Sequence, residues 1–261
     1  MYNDLKSTTM QVNRIITLMA LTALMSMSAQ AQSEGGLFLE AAAEKKINKQ
    51  LNVSLETDFR TRNNFKTVDR WSVGLTADYK LTKWLKATAG YKLLNTNFRE
   101  HITMNTSVLY NNWSPSYWGA RHRFYASLMG SYKFSNNLKL SLRERWQYTY
   151  RPEKTVERWD FDNAHWDDKV RSGKGKHQLR SRLQVSYDKK RGTVEPYASI
   201  ELYNSWSIEK IRYTIGADWK LSKQHILGAY YLFQKRHNAD TEMDDDEPDM
   251  HWLGIAYKFK F

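Results

Sequence analysis

The chain contains no cysteine, only four prolines and only twelve glycines in 261 residues. Without cysteine it cannot be one of the small exported scaffolds that disulfides hold together. Beyond the first 31 residues, no apolar stretch approaches the ~20 residues that a membrane helix needs. No later segment has the 3.6-residue apolar period of an amphipathic helix, and no Pro/Gly/Ser-rich linker divides the chain. These absences argue against a disulfide scaffold, a helical membrane protein and a chain of several domains.

A period of two is present instead, and segment 251–261 shows it most clearly. One face carries Leu253, Ile255, Tyr257, Phe259 and Phe261, and the other carries Trp252, Gly254, Ala256, Lys258 and Lys260. Such a strand, closed by an aromatic residue, is typical of transmembrane barrels. The assembly machinery of Gram-negative outer membranes recognises endings of this kind. We therefore expect Tyr257, Phe259 and Phe261 to be an assembly signal and the barrel-assembly machinery to be a partner.

The same alternation recurs along the chain and predicts an all-β, transmembrane, antiparallel up-and-down β-barrel. Eleven runs alternate, near 36–46, 51–62, 69–81, 84–97, 121–134, 137–150, 176–188, 193–206, 210–221, 224–236 and 250–261. Bacterial single-chain barrels usually have an even number of strands. A twelfth strand in 101–111, or a first run that does not span, would restore parity. The prediction is therefore about ten to twelve strands.

The connections between the runs are of two kinds. Four share a lysine, an apolar residue and a small polar residue: Lys46-Ile47-Asn48, Lys80-Leu81-Thr82, Lys133-Phe134-Ser135 and Lys220-Leu221-Ser222. A fifth connection, at 188–193, has different chemistry. Short polar clusters of this type are typical of hairpin turns. The remaining connections are longer, notably 98–120, 151–175 and 237–249, which predicts short periplasmic turns and longer extracellular loops.

The N-terminus has the pattern of an export signal. Arg14 precedes an apolar run over 15–25, and Ala29-Gln30-Ala31 follows as a cleavage site. An N-terminal membrane anchor is the alternative, but the run is short for a span. We expect residues 1–31 to be a cleaved secretory signal peptide and residues 32–261 to form the barrel. The expected location is the outer membrane of a Gram-negative bacterium.

Several short motifs resemble the barrel family catalogued as domain of unknown function 2490. The motifs are Gly36-Leu37-Phe38-Leu39-Glu40, residues 44–49, residues 51–60, Asp69-Arg70-Trp71, residues 79–85 and Arg121-His122-Arg123. The resemblance covers nearly all of the mature chain. It implies an outer-membrane barrel with no established activity, so it supplies no catalytic residues and no cofactor.

Charged residues of both signs fall on the face that would line the lumen. They are Glu56, Asp58, Arg60, Arg121, Arg123, Arg143, Arg145, Arg180, Arg182, Glu195, Glu201, Arg212 and Asp218. One interpretation is a pore whose arginines attract anions. The other is a network of ion pairs that fills a narrow barrel. With ten to twelve strands and many bulky inward groups, the sequence favours a filled or narrowly gated lumen. Permeation through this arginine-rich lumen is the first functional hypothesis.

A closed structural or interaction barrel is the second hypothesis. Its loops would bind polysaccharide, lipopolysaccharide or a protein partner. The acidic loop 240–249 and the aromatic loop 158–168 are the candidates, although neither has the ligand spacing of a calcium loop. Outer-membrane lipid and lipopolysaccharide are the expected partners. The net charge of +12 does not indicate nucleic acid here, because the export signal overrides that interpretation.

A lipid-modifying enzyme is a third and weaker hypothesis. His177 and Ser181 share an outward face, and His122 lies two positions before Phe124 on another. A base near a hydroxyl is what such chemistry needs, but no wider signature surrounds these residues. We therefore predict no catalytic residues, no metal and no enzyme. Glu144 remains anomalous, because its register faces lipid unless a bulge or a rim position removes it.

Overall fold

The computed structural model describes residues 33–107, 109–189, 192–237 and 248–261. The predicted signal peptide, 1–31, and most of the acidic loop 240–249 lie outside the described residues. In the described ranges, no helix is long and apolar enough to span a membrane. The strands, in chain order, are β1 (Ser33–Lys46), β2 (Leu51–Arg62), β3 (Thr67–Lys80), β4 (Leu85–Phe98), β5 (His101–Met104), β6 (Tyr110–Ser114), β7 (Tyr117–Lys133), β8 (Leu138–Arg151), β9 (Lys154–Asp160), β10 (His165–Arg171), β11 (Lys174–Tyr187), β12 (Val194–Asn204), β13 (Ile208–Lys220), β14 (His225–Arg236) and β15 (Asp249–Lys260).

Eleven of the described strands close into one barrel, which confirms the predicted all-β barrel fold. Their order around the barrel is β1-β2-β3-β4-β7-β8-β11-β12-β13-β14-β15, with β15 returning to β1. All eleven runs with a period of two are barrel strands. Segment 101–111 is not a twelfth one, because β5 belongs to a separate sheet. The proposal that the first run does not span is also wrong, because β1 pairs along its length on both sides.

The barrel closes through a parallel pair of strands. Neighbours elsewhere in it are antiparallel, but β1 and β15 run in the same direction, in register from Ser33↔Asp249 to Glu44↔Lys260. Strand direction alternates along an up-and-down sheet, so the first and last of an odd number of strands point the same way. They can close the sheet only as a parallel pair. The usual even count therefore does not apply to the described barrel.

The two ends of the barrel differ. We call the end with the short connections after β1, β3, β7, β11 and β13 the turn end, and the opposite end the loop end. The C-terminus lies at the turn end, where the Phe261 N–H donates to the carbonyl of Glu44 at 2.9 Å. Because β1 and β15 are parallel, Ser33 lies at the loop end.

In three of the four turns that share the motif, its small polar residue caps the turn with its side chain. In the fourth turn, Asn136 rather than Ser135 accepts from the Leu138 N–H, at 3.2 Å. The Asn48 Oδ1 atom accepts hydrogen bonds from the N–H groups of Gln50 and Leu51, both at 2.8 Å. The hydroxyls of Thr82 and Ser222 accept in the same way from the second and third residues that follow them. These contacts replace the backbone ladder where it ends, which explains the recurrence of Asn, Thr and Ser.

In the fifth turn, the side chain of Asp188 forms ion pairs with residues of two other turns. The Asp188 carboxylate accepts from Lys133 at 2.9 Å and from Lys220 at 3.3 Å. These lysines begin two neighbouring turns, so one carboxylate joins three connections at the turn end. The hydrogen bond from Lys133 holds the pKa of Asp188 below its usual range.

Two long loops form a second sheet at the loop end. The hairpin β5–β6 follows β4, and the hairpin β9–β10 follows β8. They join edge to edge through Asn112↔Asp160 and Trp113↔Trp159. Segment 151–175, which the sequence places only as a loop, thus carries two ordered strands. Segment 98–120, where the sequence offers one further barrel strand within 101–111, also carries two, and both lie outside the barrel.

The outer surface of the barrel is apolar, and Glu144 is an exception to it. Leucine, isoleucine, valine and aromatic side chains are exposed there along most strands. Both ladders of β8 run through Glu144 in unbroken register, and it lies in the middle of the strand. The expected bulge or rim position is therefore wrong. Instead, the Ser181 hydroxyl on β11 donates to the outward Glu144 carboxylate at 2.6 Å.

The parallel closure can be tested by cross-linking, since the chain has no native cysteine. Leu39 and Ile255 are directly paired across β1 and β15. We expect Leu39→Cys combined with Ile255→Cys to form a disulfide in the folded barrel, because paired Cβ atoms lie about 5 Å apart. The measurement is the shift of the folded and unfolded gel bands with and without reductant.

Leu39→Cys with Phe259→Cys is the matched control, since Phe259 pairs with Ala43 rather than Leu39. A cross-link in the control but not in the test pair would contradict this register. Absence of cross-links in both would indicate that another strand separates β1 from β15.

Candidate functional site

The lumen contains a cavity of about 590 Å³ that is lined mainly by polar and charged side chains. Of the lumen residues predicted from the sequence, the cavity is lined by Glu56, Asp58, Arg60, Arg121, Arg123, Arg143, Arg145, Arg180, Arg182, Glu201, Arg212 and Asp218. Glu195 lies outside the cavity lining. It accepts from Ser186 at 3.1 Å and pairs with Lys220 at 3.1 Å near the turn end.

The lining is strongly positive. Among the described residues, twelve arginines and lysines line the cavity against six aspartates and glutamates, an excess of six positive charges. Arg70, Lys92, Lys210 and Lys258 belong to the positive set in addition to the predicted arginines. Their inward positions follow from the same period of two, so the sequence already contained the signal for them.

Positive charge is concentrated on β8 and β11. Arg143 lies directly opposite Arg182, and Arg145 lies directly opposite Arg180. We call these four residues the arginine wall. Like charges directly opposite each other on neighbouring strands destabilise a sheet. A sheet that carries two such pairs side by side needs negative charge nearby.

Glu201 supplies part of that negative charge. Its carboxylate accepts from Arg143 and, through the other oxygen, from Arg180 at 2.9 Å. The Tyr203 hydroxyl also donates to Glu201 at 3.1 Å, and the Arg180 guanidinium lies 4.4 Å from the Tyr203 ring. Glu201 thus bridges one member of each opposed pair.

The remaining carboxylates lie mostly on the other side of the lumen. Asp58 on β2 accepts from Ser72 at 2.5 Å and from Lys92 at 3.0 Å. Glu40 on β1 accepts from the Tyr230 hydroxyl at 2.6 Å. The Tyr230 ring crosses Gly254, where a Cβ atom would come within 2.1 Å of the ring, so glycine is required there. The lumen therefore has an arginine-rich side and, across from it, a mixed side where carboxylates lie among Arg60, Arg70 and Lys92.

Side chains fill the lumen at the loop end. Phe98 and Leu94 are 1% exposed, Trp252 is 3% exposed and Gln234 is fully buried. Arginines stack on the rings: Arg60 lies 3.7 Å from the Phe38 ring, and Arg121 lies 4.4 Å from the Phe98 ring. Phe38, Leu94 and Trp252 also line the cavity, so these buried side chains bound it toward the loop end. We call Phe38, Leu94, Phe98, Gln234 and Trp252 the closing layer.

The sequence does not identify the closing layer. The period of two places Trp252 on the inward face of the last strand, which is a usable signal. Phe98 is the last residue of β4, one residue beyond the end that the sequence predicts. Neither signal shows which inward side chains of different strands pack together, such as Trp252 with Phe38.

The residues considered for lipid chemistry are not brought together. Ser181 lies four positions after His177 on β11, or ~13 Å at ~3.3 Å per residue. The His177 ring packs on Tyr148, with 4.7 Å between centroids, and Ser181 donates to Glu144. His122 Nδ1 lies 2.8 Å from the Tyr91 hydroxyl. None of these contacts pairs a histidine ring with a serine hydroxyl.

The proposed assembly residues lie on the last strand. Tyr257 and Phe261 are exposed on the outer surface, and Phe259 is half-buried. Phe259 and Phe261 stack with 5.5 Å between ring centroids. His225 reaches this group and lies 2.6 Å from the Tyr257 hydroxyl. The structure thus displays a continuous aromatic surface beside the C-terminus.

Comparison with known proteins gives a family and a fold. The profile of the family described as "Protein of unknown function (DUF2490)" matches residues 35–245. Among solved structures, the chain is similar to the β domain of the Bordetella autotransporter BrkA. The identity is 13%, the TM-score is 0.50, and 82% of this chain and 83% of that chain are covered. No curated protein matches.

The role of Glu201 in holding the arginine wall can be measured. Glu201→Gln leaves Arg143 and Arg180 without their shared carboxylate, so we expect the free energy of unfolding to fall by about 2 kcal/mol. Urea unfolding of the refolded barrel, followed by tryptophan fluorescence, measures the change. Glu195→Gln, near the turn end, is the control and should cost less. Equal losses of unfolding free energy in the two variants would contradict a specific role of Glu201 in stabilising the arginine wall.

Proposed function

We propose that this chain, which belongs to the DUF2490 family, is an integral outer-membrane barrel that gives small anions a narrow, gated passage. The excess of positive charge along the cavity is the single observation that carries this proposal. Barrel channels select ions by rings of charged side chains, and arginine and lysine favour anions.

The outer surface supports a position in the membrane. Its exposed apolar side chains continue around the barrel, as an outward-facing band in lipid requires. Exposed aromatic residues occur toward both ends, for example Trp84 and Tyr132 near the turn end and Trp118 and Tyr150 near the loop end. Aromatic residues are enriched at both membrane interfaces. The fold likeness to an autotransporter β domain agrees with this location.

The distribution of charge supports passage of anions rather than cations. An anion in the cavity faces the arginine wall on one side and a side of mixed charge across from it. The net positive charge of the wall would draw the anion to its guanidinium groups. The cavity of about 590 Å³ is large enough for a small anion to keep part of its hydration.

The closing layer supports gating. Passage requires the buried rings at the loop end to separate. Glu34 at the start of β1 accepts two hydrogen bonds from Arg99, each at 2.7 Å, and a third from the Asn63 N–H at 2.9 Å. These contacts join β1, the β2–β3 turn and the segment after β4 above the closing layer.

An interaction role of the loop sheet is the second candidate. Trp113, Trp159 and Trp166 cluster there, with centroids 5.4–5.7 Å from the Trp166 ring. Trp166 is half exposed, and flat aromatic faces of this kind stack on sugars. Lipopolysaccharide or surface polysaccharide would be the ligand, together with outer-membrane lipid around the barrel.

The closing layer gives a conductance prediction. Phe98→Ala removes a ring from the layer, so we expect larger single-channel conductance in planar bilayers than for the refolded wild type, residues 32–261. Phe124→Ala, which truncates an exposed ring on the outer surface, is the matched control and should leave conductance unchanged. If neither wild type nor Phe98→Ala conducts although both are folded by gel mobility, the passage is refuted and the interaction role is favoured.

The parallel closure gives a prediction about orientation in the cell. An epitope inserted between Gln32 and Ser33, after the proposed signal peptide, should be accessible to antibody on intact cells. Long loops face outward in outer-membrane barrels, and Ser33 lies with them. An epitope in the turn between Thr82 and Lys83 should be accessible only after permeabilisation. The reverse pattern would contradict the orientation, and absence of both epitopes from the outer membrane would contradict the location.

A further inference from the structure

We infer that the arginine wall, Arg143, Arg145, Arg180 and Arg182, is a binding site for a multivalent oxyanion of the phosphate or sulfate class. The inference deepens the proposed function and rests on it in one respect, because the anion has to reach the lumen. It goes further by assigning a saturable site and a ligand chemistry to one part of the lining.

The opposed pairs make this part of the lumen different from a general positive surface. Directly paired residues have Cβ atoms ~5 Å apart, so the four arginines extend into the lumen from adjacent backbone positions. Within one pair, the Arg145 guanidinium stacks on Tyr125 and that of Arg180 stacks on Tyr203. A neutral or alternating arrangement would be more stable in the absence of a ligand. The two pairs are adjacent on the inward face of β8 and β11, which brings four guanidinium groups to one patch of the cavity.

Glu201 does not neutralise this patch. Its carboxylate contacts Arg143 and Arg180, and it is also the direct cross-strand partner of Arg182. In the described part of the chain, no ion pair within 4 Å joins a carboxylate to Arg145 or Arg182. One negative charge for four positive charges leaves an excess of three. A dianion such as hydrogen phosphate or sulfate removes most of that excess, whereas a single chloride removes a third of it.

The wall also holds hydrogen-bond donors that an oxyanion could use. The Nε–H groups of Arg143, Arg145 and Arg180 are buried and have no acceptor among the described residues, as is also true of arginines elsewhere in the described chain, so these donors complement the opposed pairs and do not mark the site by themselves. The planar guanidinium fork fits two oxygens of a phosphate or sulfate at once, which a spherical halide cannot reproduce. Buried donors that lack an acceptor are costly, so a ligand that accepts from them gains affinity.

Neutral polar groups complete the surroundings of the patch. Gln184 is paired with Ser199 across β11 and β12, one inward position from the Arg182–Glu201 pair, and both line the cavity. Their side chains can donate to an oxyanion without adding charge. The patch therefore combines charge, forked donors and neutral donors, as tetrahedral oxyanion sites do.

Calorimetric titration of the refolded chain in detergent tests the site directly. Inorganic phosphate and sulfate are the probes, with sodium chloride at equal ionic strength as the reference titration. We expect saturable binding of phosphate and sulfate and none of chloride. Saturable chloride binding of equal strength would overturn the oxyanion assignment. Absence of any saturable binding to protein shown to be folded by gel mobility would overturn the site.

Matched variants test whether the four arginines form the site. Arg182→Gln should weaken phosphate binding at least tenfold, and Arg182→Lys should weaken it less, because the charge remains but the fork is lost. Lys258→Gln removes one lumen charge away from the wall and should change affinity less than threefold. Equal weakening by Arg182→Gln and Lys258→Gln would mean a general electrostatic effect and would overturn the assignment. If Arg182→Gln does not fold, the wild-type titrations decide.

The binding experiment and the conductance experiment can give opposite results, so each tests its own proposal. Binding without conductance would leave an oxyanion site inside a closed barrel and refute the passage. Conductance without saturable binding would leave a passage and refute the site.

Discussion

Closure of the sheet is the constraint on which the other features depend. In lipid, an open strand edge has no hydrogen-bond partner, so the first and last strands must pair. Here eleven strands in the described chain close through the parallel pair of β1 and β15. The parallel pair places Ser33 with the long loops, and it brings residues more than 200 positions apart into register. Closure also confines one face of each barrel strand to a narrow interior.

Confinement inside the barrel strengthens the interactions among the inward-facing charged side chains. On an open surface the arginines of β8 and β11 would be hydrated and weakly coupled. Inside the barrel they oppose one another at the spacing of paired strands, and Glu201 bridges only part of the set. Rings and arginines pack the loop end, while the middle of the lumen keeps its cavity. The same interior therefore combines a closed end with an unsatisfied positive patch, and both parts of the functional proposal come from this combination.

Local pattern predicted much of this structure, and long-range pairing was beyond it. The period of two identified the barrel strands and their inward faces, since side-chain direction alternates residue by residue. It could not show that Ser33 pairs with Asp249, because this contact depends on how the first and last strands meet when the sheet closes. It also could not show that Arg143 opposes Arg182, since register across strands depends on turn lengths and bulges. The loop sheet was missed because its strands are short, and Glu144 was misjudged because its partner Ser181 lies on another strand.

The sign of ion selectivity tests the central claim most directly. The measurement is the reversal potential of the refolded chain in a planar bilayer that separates concentrated from dilute potassium chloride. Phe98→Ala can be used where wild-type openings are rare. An anion passage predicts a reversal potential displaced toward the chloride equilibrium potential. Displacement toward the potassium equilibrium potential would contradict the account, because the arginine-rich lining could not then control what passes.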